Sequence, residues 1–170
     1  MSQNHPSQNH PSQNHPSQNH EKITQPSVLV IGYGNTLRSD DGVGQQVATL
    51  VEEWELPYIR SYAVHQLTPE LAAELATVQR AIFIDAYPEA STVQVYPLTD
   101  EVPETTSRLG HSSNPRSLLT LAKQVYGVAT DAWWVLIQAV NFDFGEQFSP
   151  TTEAAIAVAL EKIKQLVSEF

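Results

Sequence analysis

Short apolar runs alternate with helix-patterned segments along this chain, and the one place where the alternation fails constrains its fold more than any other feature. "SVLVIGY" (27–33) is a β-branched apolar run followed by glycine, which suits a buried strand. "GVGQQVATLVEEW" (42–54) follows with Val43, Val47, Leu50 and Val51 on one helical face, and Ser39 or Asp40 is available as its N-cap. "YIRSYAV" (58–64) reads as a second strand. "LTPELAAELATV" (67–78) reads as a helix with Thr68 as N-cap and Pro69 in the first turn, and "AIFIDA" (81–86) as a third strand. Strand, helix, strand, helix, strand is the pattern of a parallel sheet wrapped by helices. Only "YPEAS" then separates the third strand from "TVQVYPL" (92–98), whereas a parallel crossover needs about a dozen residues. The fourth strand is therefore expected to run antiparallel, and Pro97 assigns it to an edge. A polar loop leads to the helix "PRSLLTLAKQVYG" (115–127), with Ser113 or Asn114 as N-cap and Gly127 as stop. "AWWVLIQAV" (132–140) is the fifth strand, and Ser149 and Pro150 open a long last helix.

Ahead of these elements the unit "SQNH" recurs four times, with no apolar run, in a segment that cannot bury enough surface to offset its ordering entropy. Residues 1–22 are expected to be a disordered tail and 23–170 a single α/β domain. His5, His10, His15 and His20 lie in the repeat, where weak, nonspecific metal binding and a repeated stretch without function are the two readings. The tail has neither the basic start nor the apolar stretch of a secretory signal, and nothing later approaches the roughly 18 apolar residues of a membrane span. A cytoplasmic protein is expected, with no membrane partner. The formal charge of −10 disfavours nucleic acid as a partner. No surplus apolar surface is evident, so a monomer is expected. The absence of cysteine excludes disulfides, a thiol nucleophile and any metal site built on the chain's own thiolates.

In open α/β sheets ligands gather beyond the carboxyl ends of the parallel strands. Asp41, with Asp40 beside it, follows the first strand, Asp85 ends the third, and His111 stands in the loop before the third main helix. The glycines of "GYGNTL" suggest a phosphate-cradling turn, but Leu37 stands where the third glycine of a dinucleotide fingerprint belongs, and no Walker lysine follows. Two carboxylates at a helix start also repel the anion that such a turn attracts, so the loop suits a cation better. A carboxylate in "SDDG" is also an ordinary helix cap, but one cap needs only one carboxylate. An ionisable group directly after the buried run "AIFI" is costly unless paired, capped or functional. Two carboxylates and an imidazole meeting at one sheet end form an N/O ligand set suited to divalent nickel, zinc or manganese. Neither a nucleophile elbow nor an HExxH motif occurs, so the common hydrolase arrangements are excluded.

"VLVIGYGNTLRSDDGVG" resembles the N-terminal signature of the [NiFe]-hydrogenase maturation endopeptidases. "FIDA" and "GHSSNPRSLL" resemble that family's later landmarks, and "HQLTPEL" and "NFDFGEQFSP" are similar to segments of its cyanobacterial members. The resemblance runs from about residue 27 to 150. It implies a three-layer α/β/α sandwich with a five-stranded mixed twisted sheet whose fourth strand is antiparallel. It also implies a peptidase that removes the C-terminal extension of the hydrogenase large-subunit precursor after nickel insertion. The family's metal-contacting and catalytic positions carry over as Asp41, Asp85 and His111, and Asn35, His65 and Glu146 match residues common in relatives. Nickel would arrive on the precursor, since this chain offers only carboxylate and imidazole, and no organic cofactor is implied. The bidirectional and the uptake hydrogenase are the candidate clients. Two rival readings are a nickel carrier that does not cleave and a phosphoacceptor switch with magnesium at the paired acids. Against the switch, "IQAVNF" after the fifth strand supplies no lysine to balance a phosphoryl group on Asp85.

Overall fold

The computed structural model describes Met1 and residues 27–98 and 114–168. Five strands form one mixed sheet: β1 (Val28–Tyr33), β2 (Ile59–Val64), β3 (Arg80–Tyr87), β4 (Gln94–Pro97) and β5 (Asp131–Gln138), in the order β2-β1-β3-β5-β4. β1 pairs in parallel with β2 and β3, and β3 with β5. β4 runs antiparallel to β5 at the edge, as the short link and Pro97 require.

The sheet is covered on both sides, which is why β1 is buried along its whole length. Val28, Val30, Ile82, Ile84, Val135 and Ile137 pack beneath α1 (Val43–Glu52) and α4 (Pro150–Ser168). Leu29, Ile31, Tyr33, Phe83, Trp134 and Leu136 pack beneath α2 (Leu71–Leu75) and α3 (Pro115–Tyr126). Strict alternation along each strand therefore builds two cores and three layers.

The ends of α3 and α4 follow their sequence signals. The Asn114 side chain accepts from Arg116 N at 2.9 Å, and Gly127 closes α3 in the left-handed region at φ 71°. Ser149 Oγ accepts from Thr152 N at the start of α4. The second helix is shorter than its sequence suggests. Leu71 N and Ala72 N bond back to Thr68 O and Pro69 O, so the expected first turn is a tight turn and regular helix spans only Leu71–Leu75. Thr68 is not its N-cap: Glu70 precedes the helix and supplies no side-chain cap. The chain leaves early because Gln79 and Arg80 must reach Ser27 O to start β3.

The start of α1 sits directly on the carboxyl ends of β1 and β3. A Cβ at Gly44 would lie 2.4 Å from Tyr33 O and 2.5 Å from Ile84 O, and one at Gly32 would lie 1.8 Å from Gly44 O. Backbone meets backbone there, and no side chain can yield. Gly44→Ala should therefore lower unfolding stability by at least about 2 kcal/mol, the scale of overpacking in a rigid core. An unchanged denaturant midpoint would show that the helix start has room to shift.

Candidate active site

The loop after β1 is folded against its own backbone. Gly34 adopts φ 136°, and a Cβ there would lie 1.9 Å from Asp41 O. Asn35 N donates to Asp41 Oδ2 at 3.0 Å, and Asn35 Oδ1 accepts from Leu37 N at 3.0 Å. Asn35 is thus a structural residue that fixes one oxygen of the Asp41 carboxylate. The site residue Asp41 is half-buried on this loop.

Its neighbour Asp40 does something different. Ser39–Gly42 forms a 3-10 turn, and neither Ser39 nor Asp40 caps α1, whose preceding residue, Gly42, makes no side-chain cap. The turn aims Asp40 away from α1 and into the protein. Its fully buried carboxylate accepts from Val140 N at 2.9 Å, Asn141 N at 2.8 Å, Ser149 N at 2.7 Å and Ser149 Oγ at 2.8 Å. Burial alone would raise its pKa, but the bonds from Ser149, Val140 and Asn141 outweigh that and hold it below the usual carboxylate value. The same two loops are joined by Ser39 N to Gly145 O at 2.8 Å and Gly145 N to Leu37 O at 2.9 Å.

Asp85 lies on β3 one residue beyond the pair Gly32–Ile84, and so beside Tyr33 at the end of β1. Alternation places it on the face that carries Phe83 and Tyr33. Burial pushes its carboxyl up to about 7, and the charge of Asp41 pushes the same way, while Tyr33 and the Ala86 N–H oppose them. Asp85 therefore feels the Asp41 charge, though less than it feels its own burial. His111 lies outside the described residues. Among the described residues no group of three or more His, Cys, Asp and Glu side chains is arranged to hold a metal ion. His65 and Glu146 are exposed, and His65 contributes its backbone carbonyl to Gly34 N.

Two roles here escape sequence reasoning. Asp40 binds partners about a hundred residues away, and only the apparent redundancy of "DD" signals it. Tyr33 ends an otherwise aliphatic strand, a weak signal for a polar group beneath Asp85.

Asp40→Ala should cost about 3 kcal/mol or more, because it strips the acceptor from three N–H groups at the two ends of the loop between β5 and α4. Chemical denaturation near neutral pH measures this, and a loss below about 1 kcal/mol would mean that water takes over the bonds. Asp85 has the opposite sign. Its folded-state carboxyl titrates near 7 against an ordinary value of 3.8, so its contribution to stability is fully present below the ordinary value and is lost as pH rises toward 7. Asp85→Asn should therefore raise the melting temperature at about pH 8 and change it little at about pH 3.5. An equal effect at both pH values would contradict the raised pKa.

No protein-family model and no curated protein sequence matches the chain. Solved structures do. The hydrogenase 2 maturation peptidase of Thaumarchaeota archaeon SCGC_AB-539-E09 is 24% identical, with a TM-score of 0.62 over 83% of this chain and 97% of its own. The hydrogenase maturating endopeptidase HybD of E. coli is 21% identical, with a TM-score of 0.61 over 84% of this chain and 92% of its own. The [NiFe] hydrogenase maturation protease HybD of Thermococcus kodakarensis is 21% identical, with a TM-score of 0.60 over 82% and 97%. Among the described residues no helix is long and apolar enough to cross a membrane. The chain carries the fold of these hydrogenase maturation proteases.

Proposed function

We propose that this chain is an endopeptidase that removes the C-terminal extension of a [NiFe]-hydrogenase large-subunit precursor after nickel insertion, with the substrate-borne nickel as its recognition element. The observation that carries the reading is the fold shared with solved maturation proteases, in which Asp41 follows β1 and Asp85 lies near the end of β3. A chain without cysteine brings no soft ligand of its own, so thiolates for nickel belong to the precursor. Asp41, Asp85 and His111 would complete the coordination of that ion, and metal loading would thereby be checked before the chain is cut.

Asp41 commits one oxygen to Asn35 N and has the other to offer. Asp85, with a pKa of about 7, takes up or returns a proton near neutral pH, as general acid–base work requires. An ion held by Asp41, Asp85 and His111 would polarise the scissile carbonyl or lower the pKa of a bound water. The receiver-like alternative is disfavoured by β4, which runs antiparallel at the edge where an all-parallel alternation would place another parallel strand.

Incubating the protein with nickel-loaded and nickel-free precursor tests the reading by mass spectrometry. Loss of the C-terminal peptide is expected in the loaded sample alone. Binding of the loaded precursor without cleavage would favour a nickel carrier, and labelling by a small phosphodonor would favour the switch. Asp41→Asn, Asp85→Asn and His111→Ala should each lower the cleavage rate about 100-fold or more without unfolding the protein. A variant that processes at the wild-type rate removes its residue from the site.

A further inference from the structure

The Tyr33 hydroxyl and the Trp134 indole N–H are buried polar groups with no hydrogen-bond partner among the described residues. The other buried side-chain atoms in that position, Arg60 Nε and Arg80 Nε, belong to guanidinium groups that bond through their terminal nitrogens. Tyr33 is 4% exposed and Trp134 3%. Leaving a buried hydroxyl unsatisfied costs about 1–3 kcal/mol, which phenylalanine at the same place would avoid.

The sheet register says where these groups lie. β3 runs between β1 and β5, with Gly32 opposite Ile84 and Trp134 opposite Phe83. Tyr33 and Trp134 therefore flank β3 from either side, on the same face as Asp85. Burial, and then the charge of Asp85, raise the Tyr33 pKa well above the ordinary phenol value, so the hydroxyl keeps its proton.

We propose that Tyr33 is a positioning residue for Asp85: its hydroxyl, set beside that residue by the sheet register but short of an ordinary hydrogen bond in this structure, closes on one carboxylate oxygen and leaves the other turned toward the rim. The consequence for catalysis rests on the peptidase reading above, whereas the hydrogen bond does not. A phenol anchored in a packed core is a stiffer support than water, and outer groups that orient a metal-contacting carboxylate are worth about 10- to 100-fold in affinity or activity.

Tyr33→Phe removes the hydroxyl and little else. It should keep or slightly raise the melting temperature and lower kcat for nickel-loaded precursor about tenfold, with KM unchanged. A tyrosine that merely fills the core would leave kcat alone. Protein labelled with 13Cζ-tyrosine gives a readout independent of cleavage, with the Tyr33 signal identified by its loss in Tyr33→Phe. Asp85→Ala should move that signal more than those of the other tyrosines. Wild-type kcat in Tyr33→Phe, or a Tyr33 signal indifferent to Asp85→Ala, overturns the proposal. If the wild-type protein leaves loaded precursor intact, the peptidase reading fails by itself. The Tyr33 signal still decides the positioning role: movement supports it and constancy overturns it.

Discussion

The buried carboxylate of Asp40 is the interaction on which the rim depends. A charge taken wholly out of water is costly unless its lone pairs are filled, and here three backbone N–H groups and one hydroxyl fill them. Those donors come from the loop after β5 and the start of α4, while the carboxylate comes from the loop after β1. One side chain thus satisfies backbone groups at both ends of the loop between β5 and α4, and it joins segments about a hundred residues apart. Asp41 inherits a fixed backbone because its neighbour is immobilised.

The glycines of the same loop serve this closure rather than an anion. A phosphate-cradling turn needs open space above its N–H groups. Here the space beside Gly34 is occupied by Asp41 O, the space beside Gly32 by Gly44 O, and Asn35 N already donates to Asp41. Close backbone approach, made possible by missing side chains, brings the end of β1, the end of β3 and the start of α1 to one point.

Much of this was legible in the sequence, because it depends on local chemistry. Burial on both faces reads as unbroken apolar runs, and the antiparallel β4 follows from a link too short to cross the sheet. The caps of α3 and α4 follow from Asn114 and Ser149. What escaped depends on distant partners. Nothing near "LTPEL" indicates that β3 must begin so soon that α2 shrinks to Leu71–Leu75. Asp40 looks like a cap for the helix it precedes, yet its carboxylate bonds at the start of α4. A site of Asp41, Asp85 and His111 was expected from the rule that sites form at strand ends, and Asp41 indeed lies on the loop after β1 and Asp85 near the end of β3. His111, the third expected member, lies outside the described residues.

The chemistry of that pair bears on how a peptidase of this kind would restrain itself. Burial chiefly, and the charge of Asp41 in addition, make Asp85 resist ionisation until something positive arrives. A cation at the rim reverses both effects at once: it neutralises the mutual repulsion and favours the ionised form. Oxygen and imidazole ligands alone hold such an ion less selectively than thiolates do. On the proposed reading, the ion that relieves the strained pair comes with the precursor's thiolates attached. Electrostatic relief of Asp41 and Asp85 and recognition of a loaded substrate would then be one event, and a chain without cysteine would have little means of retaining the metal once the cleaved product departs.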